Sequence, residues 1–79
     1  MRTSIVLVAL LLSGCDDSGT YTLYRNSPSF PEMRIHVATF DASDGDRYNG
    51  ENCRVAGDLF AQQPGVIVRY WCEKGRYRR

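Results

Sequence analysis

Three thiols, one imidazole and a run of carboxylates are the groups in this 79-residue chain with chemistry to offer: Cys15, Cys53 and Cys72, His36, and Asp41, Asp44, Asp46 with Glu51. Their spacing decides what each can do. Cys53 and Cys72 lack a C-x-x-C spacing and have no cluster of histidines beside them, which makes a poor zinc site, and no metal is expected. The acidic run departs from an EF-hand calcium loop. Ser43 and Gly45 stand where oxygen ligands belong, and Asn52 replaces the closing Glu. It reads as a solvated turn that supplies a helix N-cap and places negative charge at the helix's positive end. His36, the only histidine, has Asp and Glu residues elsewhere in the chain to pair with, but no nucleophile stands in a recognisable setting. No catalytic residue and no cofactor are expected.

Cys15 is a different case, because its neighbours specify a modification. Leu12-Ser13-Gly14-Cys15 closes an apolar run, Ile5 to Leu12, that follows the short positive segment Met1-Arg2-Thr3-Ser4. As a helix that run covers roughly 12 Å, far short of the ~30 Å hydrocarbon core, so it does not span a membrane. It has the form of an export signal. An ordinary signal favours an A-x-A-like cleavage site, which is missing here. A branched apolar residue, two small residues and Cys are what a lipoprotein signal peptidase reads. The thiol then takes a diacylglycerol, cleavage falls before it, and Cys15 becomes an N-terminus carrying fatty acyl groups such as palmitate. Two or three such chains hold a protein at a bilayer essentially permanently, at about 0.8 kcal/mol per buried methylene. Asp16-Asp17 resembles the inner-membrane retention signal of Gram-negative lipoproteins, which implies an inner-membrane anchor facing the periplasm.

Residues 1–14 are therefore expected to be a signal peptide, 15–20 a lipidated tether, 21–75 one domain and 76–79 a basic tail. The chain carries a formal charge of +1, and loss of Arg2 with the signal brings the mature part to zero. No overall field draws in nucleic acid, and none is expected as a partner. A domain this small buries a modest fraction of its surface and needs a staple beyond its core.

The pattern along the domain gives β-β-α-β. Tyr21 to Asn26 is rich in aromatic and β-branched residues and reads as a strand. Pro28 and Pro31 break it. Met33 to Asp41 alternates, with Met33, Ile35, Val37 and Thr39 on one face and Arg34, His36, Ala38 and Phe40 on the other, away from the helix. From about Tyr48 to Gln63 the spacing is helical, with Asn52, Val55, Ala56, Leu59 and Phe60 forming a stripe and Pro64-Gly65 stopping it. Gly50 and Gly57 weaken that helix by up to about 1 kcal/mol each. Val66 to Glu73 alternates again, with Val66, Val68, Tyr70 and Cys72 on one face. The expected fold is a small α+β domain, one helix on a three-stranded sheet. The second and third strands run parallel, and the place of the first is open.

Two positions in this scheme meet. From Cys53 to Pro64 the helix covers roughly 16 Å, and from Val66 to Cys72 the returning strand covers roughly 20 Å. Cys53 and Cys72 thus arrive at the same level on facing surfaces, and in an oxidising compartment they form a disulfide. A loop of about 20 residues gives such a bridge a stabilisation of roughly 3 kcal/mol. The C-terminal stretch carries Arg69, Lys74, Arg76, Arg78 and Arg79 against Glu73, with Tyr70, Trp71 and Tyr77 interleaved. Trp71 falls on the outer face, and with Arg69 and His36 it defines a candidate contact patch for an envelope protein or anionic lipid.

Taken together, Leu12-Ser13-Gly14-Cys15, Met33-Arg34-Ile35-His36-Val37-Ala38-Thr39-Phe40-Asp41, Tyr48-Asn49 with Asn52-Cys53, and Pro64-Gly65-Val66 through Tyr70-Trp71-Cys72-Glu73-Lys74-Gly75 resemble a group of small proteobacterial lipoproteins over nearly the whole chain. The resemblance implies lipidation at Cys15 and no mechanism. The expectation is a non-enzymatic, lipid-anchored binding module of the envelope. The alternatives are a small envelope enzyme or inhibitor using the face around His36, and a superinfection-exclusion lipoprotein of a mobile element.

Overall fold

The computed structural model describes residues 19–78; the signal segment, Cys15 and residues 16–18 lie outside the described residues. Four elements follow one another: β1 (Tyr21–Arg25), β2 (Ile35–Phe40), α1 (Asp46–Ala61) and β3 (Tyr70–Lys74). They form the expected α+β layer, one helix on a three-stranded sheet. The strand order is β2-β1-β3, with β1 antiparallel to both neighbours. The second and third strands accordingly run the same way without touching.

β1 sits in the middle because it is apolar on both faces. Thr22, Leu23 and Tyr24 are all buried, with Leu23 pointing at the helix and Tyr24 away from it. Asn26 ends the sheet. Its side chain accepts from the Arg69 backbone N–H at 2.8 Å and donates to the Pro31 carbonyl at 3.1 Å, while its own N–H donates to the Arg69 carbonyl at 3.1 Å. Beyond it Val66 and Val68 have no β1 residue to pair with. The last strand therefore starts at Tyr70 instead of Val66.

The alternation expected across the second strand breaks at Val37. Leu23 pairs with Ala38 and Tyr24 with His36, so Val37 is an extra residue in a β-bulge. Residues opposite each other share a face. Ala38 and Phe40 pair with Leu23 and Tyr21 and thus lie on the helix side, and Thr39 pairs with Thr22 on the other. This corrects the expected faces of Ala38, Thr39 and Phe40. His36 remains on the side away from the helix.

The helix also packs by different residues from its apolar stripe. Its buried positions are Asn49, Gly50, Cys53 and Gly57, whereas Val55 and Leu59 are 56% and 58% exposed. Small residues let the helix lie close: a Cβ at Gly50 would stand 3.0 Å from the Tyr21 ring, and one at Gly57 would stand 3.2 Å from Leu23 Cδ1. What costs helix propensity gives close packing. The Cys53–Cys72 disulfide fixes the approach, with Cα atoms 6.2 Å apart, and α1 packs most closely on β3 and β1. The helix begins at Asp46, behind Gly45, whose φ of 105° suits glycine and which caps through its backbone alone. Asn49 does the stitching there. Its amide donates to the carbonyls of Gly19 at 2.7 Å and Ala42 at 3.0 Å, and its oxygen accepts from Ala42 N–H at 3.0 Å.

Candidate functional site on the sheet face away from the helix

A sheet covered by one helix leaves its other face to be closed by side chains. Both ladders set Tyr24 opposite a partner, His36 on β2 and Trp71 on β3, so the three form one row across the sheet. Tyr24 stacks on Trp71 with ring centroids 6.0 Å apart. Residues after the Gly75 turn fold back over this row. Tyr77 packs against Tyr24 at 6.1 Å and against His36 at 4.9 Å. Residues 76–78, in the expected basic tail, are pinned: Arg34 Nη1 donates to the Arg78 carbonyl at 3.0 Å, and Arg78 N–H donates to the Tyr24 hydroxyl at 3.4 Å. Gly75 N–H donates to the Thr20 carbonyl at 2.7 Å, and Thr22 Oγ1 donates to the Gly75 carbonyl at 2.7 Å.

The charges are tiled onto the rings. The Arg34 guanidinium lies 4.4 Å over the Tyr24 centroid and grips Glu73 with two bonds of 3.2 and 2.9 Å. Trp71 Nε1–H donates to the same carboxylate at 2.8 Å. Hydrogen bonding from Arg34, then from Trp71, holds the Glu73 carboxyl below its ordinary range and raises Arg34 in turn. Arg69 lies 5.1 Å from the Trp71 ring centre, with its guanidinium on the outside. His36 is exposed, and its Nε2 meets the Thr39 hydroxyl at 2.8 Å.

The three patch residues expected from sequence, Trp71, Arg69 and His36, thus share this face and are joined through Tyr24 and Tyr77. Four members went unrecognised: Tyr24, Arg34, Glu73 and Tyr77. The signal for Tyr24 lay in β1 itself, since a strand with Leu23 on one side and Tyr24 on the other belongs at a sheet's centre. The contact of Arg34 with Glu73, 39 residues on, had no local signal. Among the described residues no group of His, Cys, Asp and Glu is arranged to hold a metal ion. No helix among them is long and apolar enough to cross a membrane.

The class of protein defined by these features is a disulfide-stapled α+β domain with a ring-and-guanidinium face. No protein-family model, no curated protein and no solved structure matches the chain.

Proposed function

We propose that this chain is a lipid-anchored module of the cell envelope, acylated at Cys15, that binds a protein or other envelope component through the face around Trp71. The observation that carries this reading is the row His36–Tyr24–Trp71 with Arg69 stacked on its rim. A rigid aromatic surface edged by arginine is the composition enriched where partners bind most tightly. Arg34, Glu73 and the Trp71 indole N–H are already paired with one another, so a partner gains apolar contact there without having to order those side chains first. The imidazole of His36 is engaged with a threonine hydroxyl, which speaks against acid–base work and leaves the contact to Trp71 and Arg69.

Crosslinking in the native envelope tests the reading. Arg69→Ala and Trp71→Ala lose the captured partner while the disulfide and the folded spectrum persist, and His36→Ala keeps it. Loss of phenotype with His36→Ala alone favours an enzyme or inhibitor instead. Cys15→Ser gives an unprocessed precursor that takes up no labelled fatty acid, and normal maturation of that variant removes the anchor.

A further inference from the structure

The apolar arc of α1 is wider than the sheet covers. Gly50, Cys53 and Gly57 face the sheet. On one flank the helix continues with the charged residues Arg47, Glu51, Arg54 and Asp58. On the other Tyr48, Val55 and Leu59 stand half exposed or more, with the half-buried Asn52 among them. Because the Cys53–Cys72 bridge draws α1 toward β3, this flank and Phe40 of β2 border an open trough of about 480 Å³. It continues past Ala56 toward Phe60 and Gln63. A one-sided apolar flank of this kind marks a contact surface.

We propose that the occupant of this flank is the surface of the lipid bilayer, and that the domain lies helix-side down on the membrane that holds its anchor. The inference rests on acylation at Cys15. Its warrant is where the chain enters the domain. Gly19 is held by Asn49, which itself lines the trough. Cys15 precedes Gly19 by four residues, a reach of at most ~14 Å. The acyl groups are therefore confined within that reach of Gly19, at the end of the helix where the trough begins. From Tyr48 to Leu59 the helix then runs roughly 16 Å along the interface, the posture of an amphipathic helix lying in the headgroup plane. The lining carries one ionic group, Asp41, which pairs with Arg76 at 3.3 Å. The other polar side chains of the lining, Thr39, Asn49 and Asn52 among them, are uncharged, so contact is independent of anionic lipid. The face around Trp71 points away from the membrane, toward partners.

The test uses the full chain purified from bacterial envelopes and reconstituted in phosphatidylcholine vesicles containing a diazirine phospholipid. Intact mass reports acylation, and peptide mapping reports the photolabel. The expected label falls on Tyr48, Val55, Leu59 and Phe60, spares Arg69, Trp71 and Tyr77, and is unchanged when a fifth or so of the lipid is made anionic. Val55→Ser with Leu59→Ser alters positions already exposed, so the fold persists while labelling of the helix falls roughly tenfold or more. An acylated protein labelled on Trp71 and Tyr77, or labelled only with anionic lipid, overturns the proposal and leaves the anchor standing. So does an acylated protein with an unlabelled helix, the result if a second copy or another protein covers the flank. A protein without acyl mass takes the anchor reading down, and this proposal with it.

Discussion

The two faces of the sheet are closed by different physics. On the helix side a covalent bridge and two glycines bring α1 close, and Leu23 and Cys53 are sealed beneath it. On the other side no element of secondary structure among the described residues lies over the sheet. Tyr24 is nevertheless 1% exposed, because Trp71, Tyr77 and the Arg34 guanidinium lie against it. The difference shows how a domain of this size gains a second apolar layer without a second helix. Long side chains with apolar stems and charged ends cover a ring while their heads stay in water. One face is thus fixed by connectivity and the other by side-chain tiling.

Tyr24→Ala is the strongest way to break that comparison. If the tiled face is a true second core, truncation costs about 3–5 kcal/mol, the range for a buried aromatic. If it were ordinary surface, the cost would stay within about 0.5 kcal/mol. Denaturant unfolding at neutral pH separates the two outcomes, and domains this small have little stability to lose. Next in size is the bridge. Replacing Cys53 and Cys72 together by Ala removes roughly 3 kcal/mol by the loop-entropy argument. The melting temperature then falls by about 4–8 °C for each kcal/mol. A thiol titration finding free Cys53 and Cys72 in the native protein would remove the covalent half of the contrast.

Gly57→Leu sharpens the helix side alone. Leucine gains helix propensity over glycine, yet its side chain must enter the space of Leu23, which is fully buried. Overpacking wins, at a net cost of about 1–3 kcal/mol, and a melting curve reads it. A rise in stability would show that the helix can lift off the sheet freely.

These residues also mark how far the chain could be read in advance. The element order and the Cys53–Cys72 pair were legible, because period and rise per residue are local quantities that place two positions at one level. The faces were legible only up to Val37, since a bulge adds a residue without any change in the hydrophobic pattern. The stripe Asn52, Val55, Ala56, Leu59, Phe60 identified the helix correctly but pointed to the wrong packing surface. Gly50 and Gly57 read as weaknesses of a helix when they are its contact with Tyr21 and Leu23. The tiled face was half legible. Alternation puts Arg34 with His36 and Glu73 with Arg69 and Trp71, whereas their meeting across Tyr24, and the return of Tyr77 over it, follow only from the sheet order.

The smallest effect belongs to the ion pair on the tiled face, and its pH dependence has a definite sign. Glu73 is held below its ordinary value of 4.5 by Arg34 first and Trp71 second. A carboxylate whose folded value is depressed stabilises the fold above the unfolded value, and that contribution is lost as pH falls through the folded one. Both side chains are more than a third exposed, so solvent screens much of the attraction. Glu73→Gln keeps the size of the side chain and one acceptor oxygen, but loses the charge that Arg34 grips at two points. At pH 7 the variant should melt below the wild type by on the order of a few °C at most. The gap should close as pH falls below 4.5, where the wild-type carboxylate takes up its proton. Raising salt at pH 7 should shrink the same gap, because screening acts on the charge and leaves the stacked rings alone. A gap that stayed constant through acid and salt would mean that Glu73 serves Trp71 as a neutral acceptor, and that the arginines are held on this face by the rings.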